Sequence, residues 1–445
     1  MESHRILDMI SSPADLKLLT NEELSILASE IREQIITTTS KTGGHVAPSL
    51  GVVELILACH SVLDCPHDKL LFDVGHQSYA HKLVTGRLGE FDTLRQFGGM
   101  SGFPKASESE YDVHPSGHAS DSVSVALGLA MARDLNGGDE KIVTIIGDAS
   151  LSGGMAFEAL NQLGQLQTPM VIILNDNEMS ISRNVGALAR YLGEKRASRE
   201  YTRTRDSVQS VLEASGPLGR GLVDLGRNAK DSFKQMVIPG EMLFEKLGIT
   251  CTAPIPGHDI AALKRALRVC LKADGPTLLH VVTKKGKGYE PAEENPSKFH
   301  GIGPYDIATG EVKKGSNSAP KYTSVFSKAI VAEAERDHDI VAITAAMKDG
   351  TGLAAFSEKF PKRFIDTGIA EEHAVALASG LALGGKKPVV CIYSTFMQRA
   401  FDQLVINNAL ANTNVVFCLD RAGLVGDDGP THHGVCLLYT SDAAD

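Results

Sequence analysis

The chain has 445 residues, 43% of them hydrophobic and 22% charged, with a formal net charge of −10. That length exceeds one ordinary core and implies two or three domains, the acidic balance argues against a general nucleic-acid binder, and no apolar run reaches a membrane span. Seven scattered cysteines (59, 65, 251, 270, 391, 418 and 436) without a Cys-x-x-Cys point to reduced thiols, not a zinc site or a disulfide frame. Residues 1–18 lack the layout of a leader, so a cytoplasmic location is expected.

Helical spacing runs over 14–39 and is broken at Lys41-Thr42-Gly43-Gly44-His45; helix returns over 50–63. A strand over 68–74 ends in Gly75-His76-Gln77, a polar loop covers 98–115, and a small-residue helix covers 121–132. Next come a strand over 142–146, a helix over 156–163 and a strand over 171–174. Both strands are short, apolar and β-branched, as buried parallel strands are. Residues 183–236, within an excursion of about 183–240, turn basic with patchy periodicity, and read as a solvated, mobile segment. Regular structure resumes over 243–249 and 260–271, and a strand over 277–282 runs into Lys284-Lys285-Gly286-Lys287-Gly288-Tyr289. A polar Gly- and Pro-containing stretch, 310–322, is the best linker. Beyond it the pattern restarts: helix 323–335, strand 340–346, helix 371–384, strand 388–393, helix 400–411, strand 414–419. The expected fold class is α/β, with two doubly wound, mostly parallel-sheet domains.

The chemistry sits at strand ends. Gly147-Asp148 closes one predicted strand and Asn175-Asp176-Asn177 the next, so Asp148 and Asn177 share the carboxyl edge where open α/β sheets bind ligands. A lone Gly-Asp there mostly makes a turn or caps a helix. The second polar group on the following strand favours instead an oxygen site for Mg²⁺, of the kind that also holds phosphates. His45, His76, His118, His300 and His432 fall in loops or beside glycines; one such histidine is usually a satisfied surface group, but their recurrence suggests a shared cleft for proton transfer. Glu371 opens a small-residue helix, where an acid ordinarily just complements the helix dipole. Arg399 and Arg421 suit phosphate or carboxylate, or equally a structural ion pair.

Taken together, Thr42 to His45, Asp73 to Gln77, Ser116-Gly117-His118, Gly147-Asp148, Leu174 to Ser182, Gly286 to Glu290, Ala370 to His373, Tyr393 to Phe396 and Asp420 to Gly434 resemble the 1-deoxy-D-xylulose-5-phosphate synthases, thiamine-diphosphate enzymes of transketolase-like type. The resemblance implies decarboxylating condensation of pyruvate with D-glyceraldehyde 3-phosphate, the first step of non-mevalonate isoprenoid synthesis and a source of thiamine and pyridoxal precursors. It implies thiamine diphosphate and Mg²⁺ as cofactors and a homodimer. Asp148, Asn177 and the Met179 carbonyl would hold the metal. His76, Gly117, His118, Ala119, Ala149, Ser150, Asn177 and Tyr289 would line the cofactor, and Glu371 would contact its aminopyrimidine ring and favour the imino tautomer. His45, His300, Asp428 and His432 would move protons, while Tyr393, Arg399 and Arg421 would hold substrate.

Departures from the family pattern are Ala149 in place of a glycine, Ala119 where serine is usual, and an end to the resemblance after Val435. The expected domains are a diphosphate-binding one (1–312), a linker (313–322), an incomplete pyrimidine-binding one (323–435) and a foreign or frame-shifted tail (436–445). An incomplete second sheet would leave an unpaired edge, so a weak or inactive chain is expected from an active parent. The alternatives are transketolase-type ketol transfer and an inactive cofactor-binding fragment. A dehydrogenase is disfavoured, because no Gly-x-Gly-x-x-Gly follows a strand.

Overall fold

The computed structural model describes residues 5–177, 185–197, 243–313 and 319–436. These form two units: residues 5–177 with 188–313, and residues 185–187 with 319–436.

The first unit is built on a six-stranded, all-parallel sheet of β1 (Lys69–Phe72), β2 (Ile142–Gly147), β3 (Val171–Asp176), β4 (Thr250–Cys251), β5 (Ile255–Pro256) and β6 (Thr277–Val282). The spatial order is β1-β2-β3-β6-β4, with β5 also on β6. Side chains alternate between two cores, as a strand's two-residue period requires. Val143, Ile145, Val171, Ile173, Leu279 and Val281 face a core made with the helices Asn21–Thr42, Val53–Val62 and Ile260–Cys270. Ile142, Ile146, Ile172, Leu174 and Leu278 face the other core, made with the helices Ser122–Asn136 and Gly154–Leu166. A sheet covered on both faces explains why its strands carry no polar stripe.

The helical spacing over 14–39 resolves into a short helix, Pro13–Leu16, and a long one, Asn21–Thr42. A capping box separates them: Glu23 N–H donates to Thr20 Oγ1 (3.2 Å) and Thr20 N–H to Glu23 Oε2 (2.8 Å). The helix expected over 50–63 is likewise two, Val46–Leu50 and Val53–Val62, parted at Val52 (φ −120°, ψ 11°). The loop over 98–115 is pinned by a buried carboxylate. Asp112 accepts two bonds from Arg87 (2.8 and 2.9 Å), one from His81 (2.9 Å) and one from Lys105 N–H (2.8 Å).

The second unit holds a four-stranded parallel sheet in the order β10-β9-β7-β8, from β7 (Ile340–Thr344), β8 (Phe364–Asp366), β9 (Lys387–Tyr393) and β10 (Val416–Asp420). Val341, Ile343, Val390 and Ile392 meet the helix Glu371–Leu383; Ala342 and Cys391 meet the helix Tyr322–Arg336. The helix expected over 400–411 is irregular and includes an over-wide turn, Leu404–Ala409. There the Asn408 side chain donates to Gln403 O (3.1 Å) and accepts from Thr413 Oγ1 (2.9 Å), competing with the backbone ladder. The basic excursion carries a helix, Ala187–Ala197; residues 198–242 lie outside the described residues.

Ile173 is fully buried at the centre of the first sheet. Ile173→Ala is expected to lower the urea-derived stability by about 2–5 kcal/mol. Leu18→Ala, at a position 84% exposed, is expected to change it by less than about 0.5 kcal/mol.

Candidate active site

Four neighbouring strands, β1, β2, β3 and β6, end on one edge of the first sheet. Beyond them stand His76, Asp148, Asn177 and Lys285 in that spatial order. The β2–β3 register pairs Gly147 with Asn175, and Asp148 N–H donates to Asn175 O (3.3 Å), so the residues that follow leave the sheet side by side. The fold then sorts the three polar residues ending β3. Asn175 accepts from Thr283 Oγ1 (2.6 Å) and Asp176 pairs with His280 (2.9 Å), both buried. Asn177 is the one at the edge itself. Met179, the third expected metal ligand, lies outside the described residues.

Three of the expected histidines meet here. Ring centroids of His76 and His300 are 5.1 Å apart, those of His45 and His76 6.0 Å, and those of His45 and His300 6.2 Å. Burial, aided by their cationic neighbours, holds His76 and His300 well below the usual imidazole range, so both are neutral. Gly44 brings His45 into place: a Cβ there would lie 2.7 Å from the Tyr79 hydroxyl, which accepts from His45 N–H (3.0 Å). Lys285 Nζ lies 3.0 Å from His300 Nδ1. Burial lowers Lys285 to about 7, against the opposing pull of Asp148.

The turn carrying Gly117, His118 and Ala119 is anchored by Asp73, which accepts Ser120 N–H on both oxygens (3.0 and 2.9 Å). Asp73 is fully buried, which raises it to about 6. Ala119 is buried and His118 half-buried. Ser150 O accepts from Ser120 Oγ (2.7 Å), tying the Ala149-Ser150 turn to the same segment. Tyr289 is placed differently: its hydroxyl donates to Ile307 O (2.8 Å) and its ring packs on Phe299 and Tyr305 in the core.

The second unit gathers the remaining candidates at the ends of β9 and β10. The Arg421 guanidinium lies 3.8 Å above the Tyr393 ring, and Tyr393, Phe396 and His432 follow one another at 5.9 and 5.5 Å. Asp428 is half-buried and adds to the field on Tyr393, whose hydroxyl burial raises. Glu371 begins the helix Glu371–Leu383, 3% exposed, with Arg399 Nη1 3.8 Å from its Oε2. Burial outweighs Arg399 and raises the carboxyl to about 7.

Lys285, Asp73 and Asp176 were not singled out from the sequence. Lys285 had the signal that marked Asp148, a polar residue directly after an apolar strand, but lay in a run of lysines that reads as solvated. The residues present fit a magnesium diphosphate. A nearly buried carboxylate (Asp148, 6% exposed) and an amide supply hard oxygen donors, and a buried ammonium stands beside them. Among the described residues, His76 Nδ1 and Glu371 Oε2 are buried without a hydrogen-bond partner, as groups reserved for a ligand are.

These strand-end edges define a two-sheet parallel α/β protein of the class that grips a diphosphate cofactor. Residues 7–283 match the 1-deoxy-D-xylulose-5-phosphate synthase family model, and residues 318–442 match the transketolase pyrimidine binding domain. The chain is similar to the 1-deoxy-D-xylulose-5-phosphate synthases of Pelotomaculum thermopropionicum (54% identity over 431 residues, 97% of this chain and 67% of that protein) and Desulforudis audaxviator (54% over 430 residues, 97% and 67%). It thus spans about two thirds of the length of these relatives. A solved transketolase from Campylobacter jejuni aligns at 19% identity and a TM-score of 0.43, covering 94% of this chain and 73% of that one. The chain belongs to the 1-deoxy-D-xylulose-5-phosphate synthase family.

Glu371 gives a pH test. The folded carboxyl keeps its proton up to about pH 7, whereas the ordinary value is 4.5. Its contribution to stability is therefore fully present below 4.5 and is lost as pH rises through 7. Glu371→Gln stays neutral throughout. Urea titrations are expected to show equal stabilities near pH 4.5 and a variant more stable by about 2–3 kcal/mol at pH 8.

Proposed function

We propose that the β1-β2-β3-β6 edge holds magnesium thiamine diphosphate and that the strand-end residues of both units serve the reaction of this family. That reaction is the condensation of pyruvate with D-glyceraldehyde 3-phosphate to 1-deoxy-D-xylulose 5-phosphate and CO₂. The observation that carries the reading is the side-by-side exit of Asp148 and Asn177 from paired strands, with Lys285 and the neutral histidines around them.

When bound, the cofactor supplies the nucleophilic carbon and the electron sink for decarboxylation. Asp148 and Asn177 would hold the metal, and Lys285 would place a positive charge beside the diphosphate. Glu371, protonated near neutral pH, donates a hydrogen bond from its carboxyl to a heterocyclic nitrogen. His45 and His300, whose rings meet edge-on at 6.2 Å beside His76, accept and return a proton at an imidazole nitrogen. In the second unit His432 moves a proton at an imidazole nitrogen and Asp428 at a carboxylate oxygen. Arg421, fixed on the Tyr393 ring, and Arg399 present guanidinium forks to a phosphate or carboxylate.

Transketolase-type transfer fits less well, because the family match over 7–283 is to the synthase. Scattered cysteines without a Cys-x-x-Cys suit the cytoplasm, and among the described residues no helix is long and apolar enough to cross a membrane. The reading includes a homodimer, for which the exposed Phe401, Ile406 and Leu410 on one helical segment offer an apolar surface.

The reaction itself is the test. Pyruvate, D-glyceraldehyde 3-phosphate, thiamine diphosphate and Mg²⁺ are expected to give CO₂ and a five-carbon ketose phosphate in equal amounts. Asp148→Ala is expected to lower that rate at least about 100-fold at fixed cofactor. CO₂-free transfer of a two-carbon unit from a ketose phosphate would contradict the assignment.

A further inference from the structure

Beneath the β6 exit lies a buried polar triad outside the site described above. Arg32, on the helix Asn21–Thr42, makes a fork to Glu54, on the helix Val53–Val62: Nη1 to Oε1 at 2.7 Å and Nη2 to Oε2 at 2.6 Å. Both residues are under 10% exposed. Burial alone would raise Glu54; bonds from His258 and Arg32 outweigh it and hold the carboxyl at about 2. Glu54 Oε2 also meets His258 Nδ1 at 3.0 Å.

The two outer members reach the same loop. His258 Nε2 accepts the backbone N–H of Lys284 (2.9 Å), and Arg32 Nε donates to the carbonyl of Lys287 (2.9 Å). Because Nε2 accepts, the ring hydrogen sits on Nδ1, facing Glu54. Gly288 (φ +85°) lets Arg32 pass, since a Cβ there would lie 2.8 Å from Arg32 Cδ. The Gly286 N–H donates to Ala47 O (2.9 Å), closing the loop from a third side. Between the two clamped points stands Lys285, whose ammonium reaches His300 and the field of Asp148.

We propose that Arg32, Glu54 and His258 are positioning residues: they fix the Lys284–Lys287 backbone so that Lys285 presents its ammonium to the cofactor's diphosphate. This rests on the functional reading above. A buried ion pair is weak support for stability by itself, since well-packed apolar residues often serve as well. Two bonds spent on the backbone flanking one buried lysine give this pair a positional task.

The test is a double-mutant cycle in the whole chain. His258→Ala and Arg32→Lys are each expected to weaken binding of magnesium thiamine diphosphate about tenfold when Lys285 is present, and less than about twofold in a Lys285→Met background. Hydrogen exchange at the amides of 284–288 is expected to speed up in both variants, with that of β3 unchanged. Arg32→Lys keeps the charge and serves if His258→Ala fails to fold. Equal losses in both backgrounds, or unchanged exchange in the loop, would overturn the proposal. If the unsubstituted chain takes up no cofactor, the functional reading fails on that ground, and the exchange data still decide whether the triad orders the loop.

Discussion

The pairing of β2 with β3 is the constraint on which the site depends. Two parallel strands in the register Gly147–Asn175 must release their next residues at the same level of the sheet. That brings Asp148 level with Asp176, one residue before Asn177, without any special loop. The register is fixed by burial on both faces: a one-residue slip would exchange Val143 and Ile145 with Ile142 and Ile146 between two cores of different shape. The placing of these strand-end residues is thus a by-product of core packing some distance below them.

Within each unit the protein arranges charge by desolvation. His76 and His300 are kept neutral, Lys285 is brought to about 7 and Glu371 is raised to the same region. Lys285 and Glu371 sit close to the point where a proton is held or released at neutral pH, whereas His76 and His300 stay unprotonated there. Asp73 and Asp112 do a different task, each buried and saturated with donors so that a polar segment keeps one conformation. Acids that resemble one another in the sequence separate in the fold by whether their partners come from the protein itself.

The strands that build the site were readable because they are short, apolar and bounded by polar residues; β6 falls on the expected 277–282. The break expected within Lys41–His45 falls at Gly43, the helix running to Thr42, whereas the earlier break at Thr20 is masked by continuous leucine spacing and is set by a capping box. Asn177 stood out by its place at the strand end, but the partners that bury Asn175 and Asp176, Thr283 and His280, lie about a hundred residues away and leave no local sign. The Arg32–Glu54–His258 triad was hidden for the same reason: a local pattern carries no sign of a bond spanning more than two hundred residues. The irregular turn at 404–409 escaped because its side-chain bonds mimic backbone ones.

Substituting Mn²⁺ for Mg²⁺ in crystals grown with thiamine diphosphate, and locating it by anomalous diffraction, tests the central claim most directly. The account predicts a peak within bonding distance of the side-chain oxygens of Asp148 and Asn177, about 2.0–2.2 Å allowing for a hard-oxygen site. A peak only elsewhere, for instance at the surface group His67, Asp139 and Glu140, would contradict it.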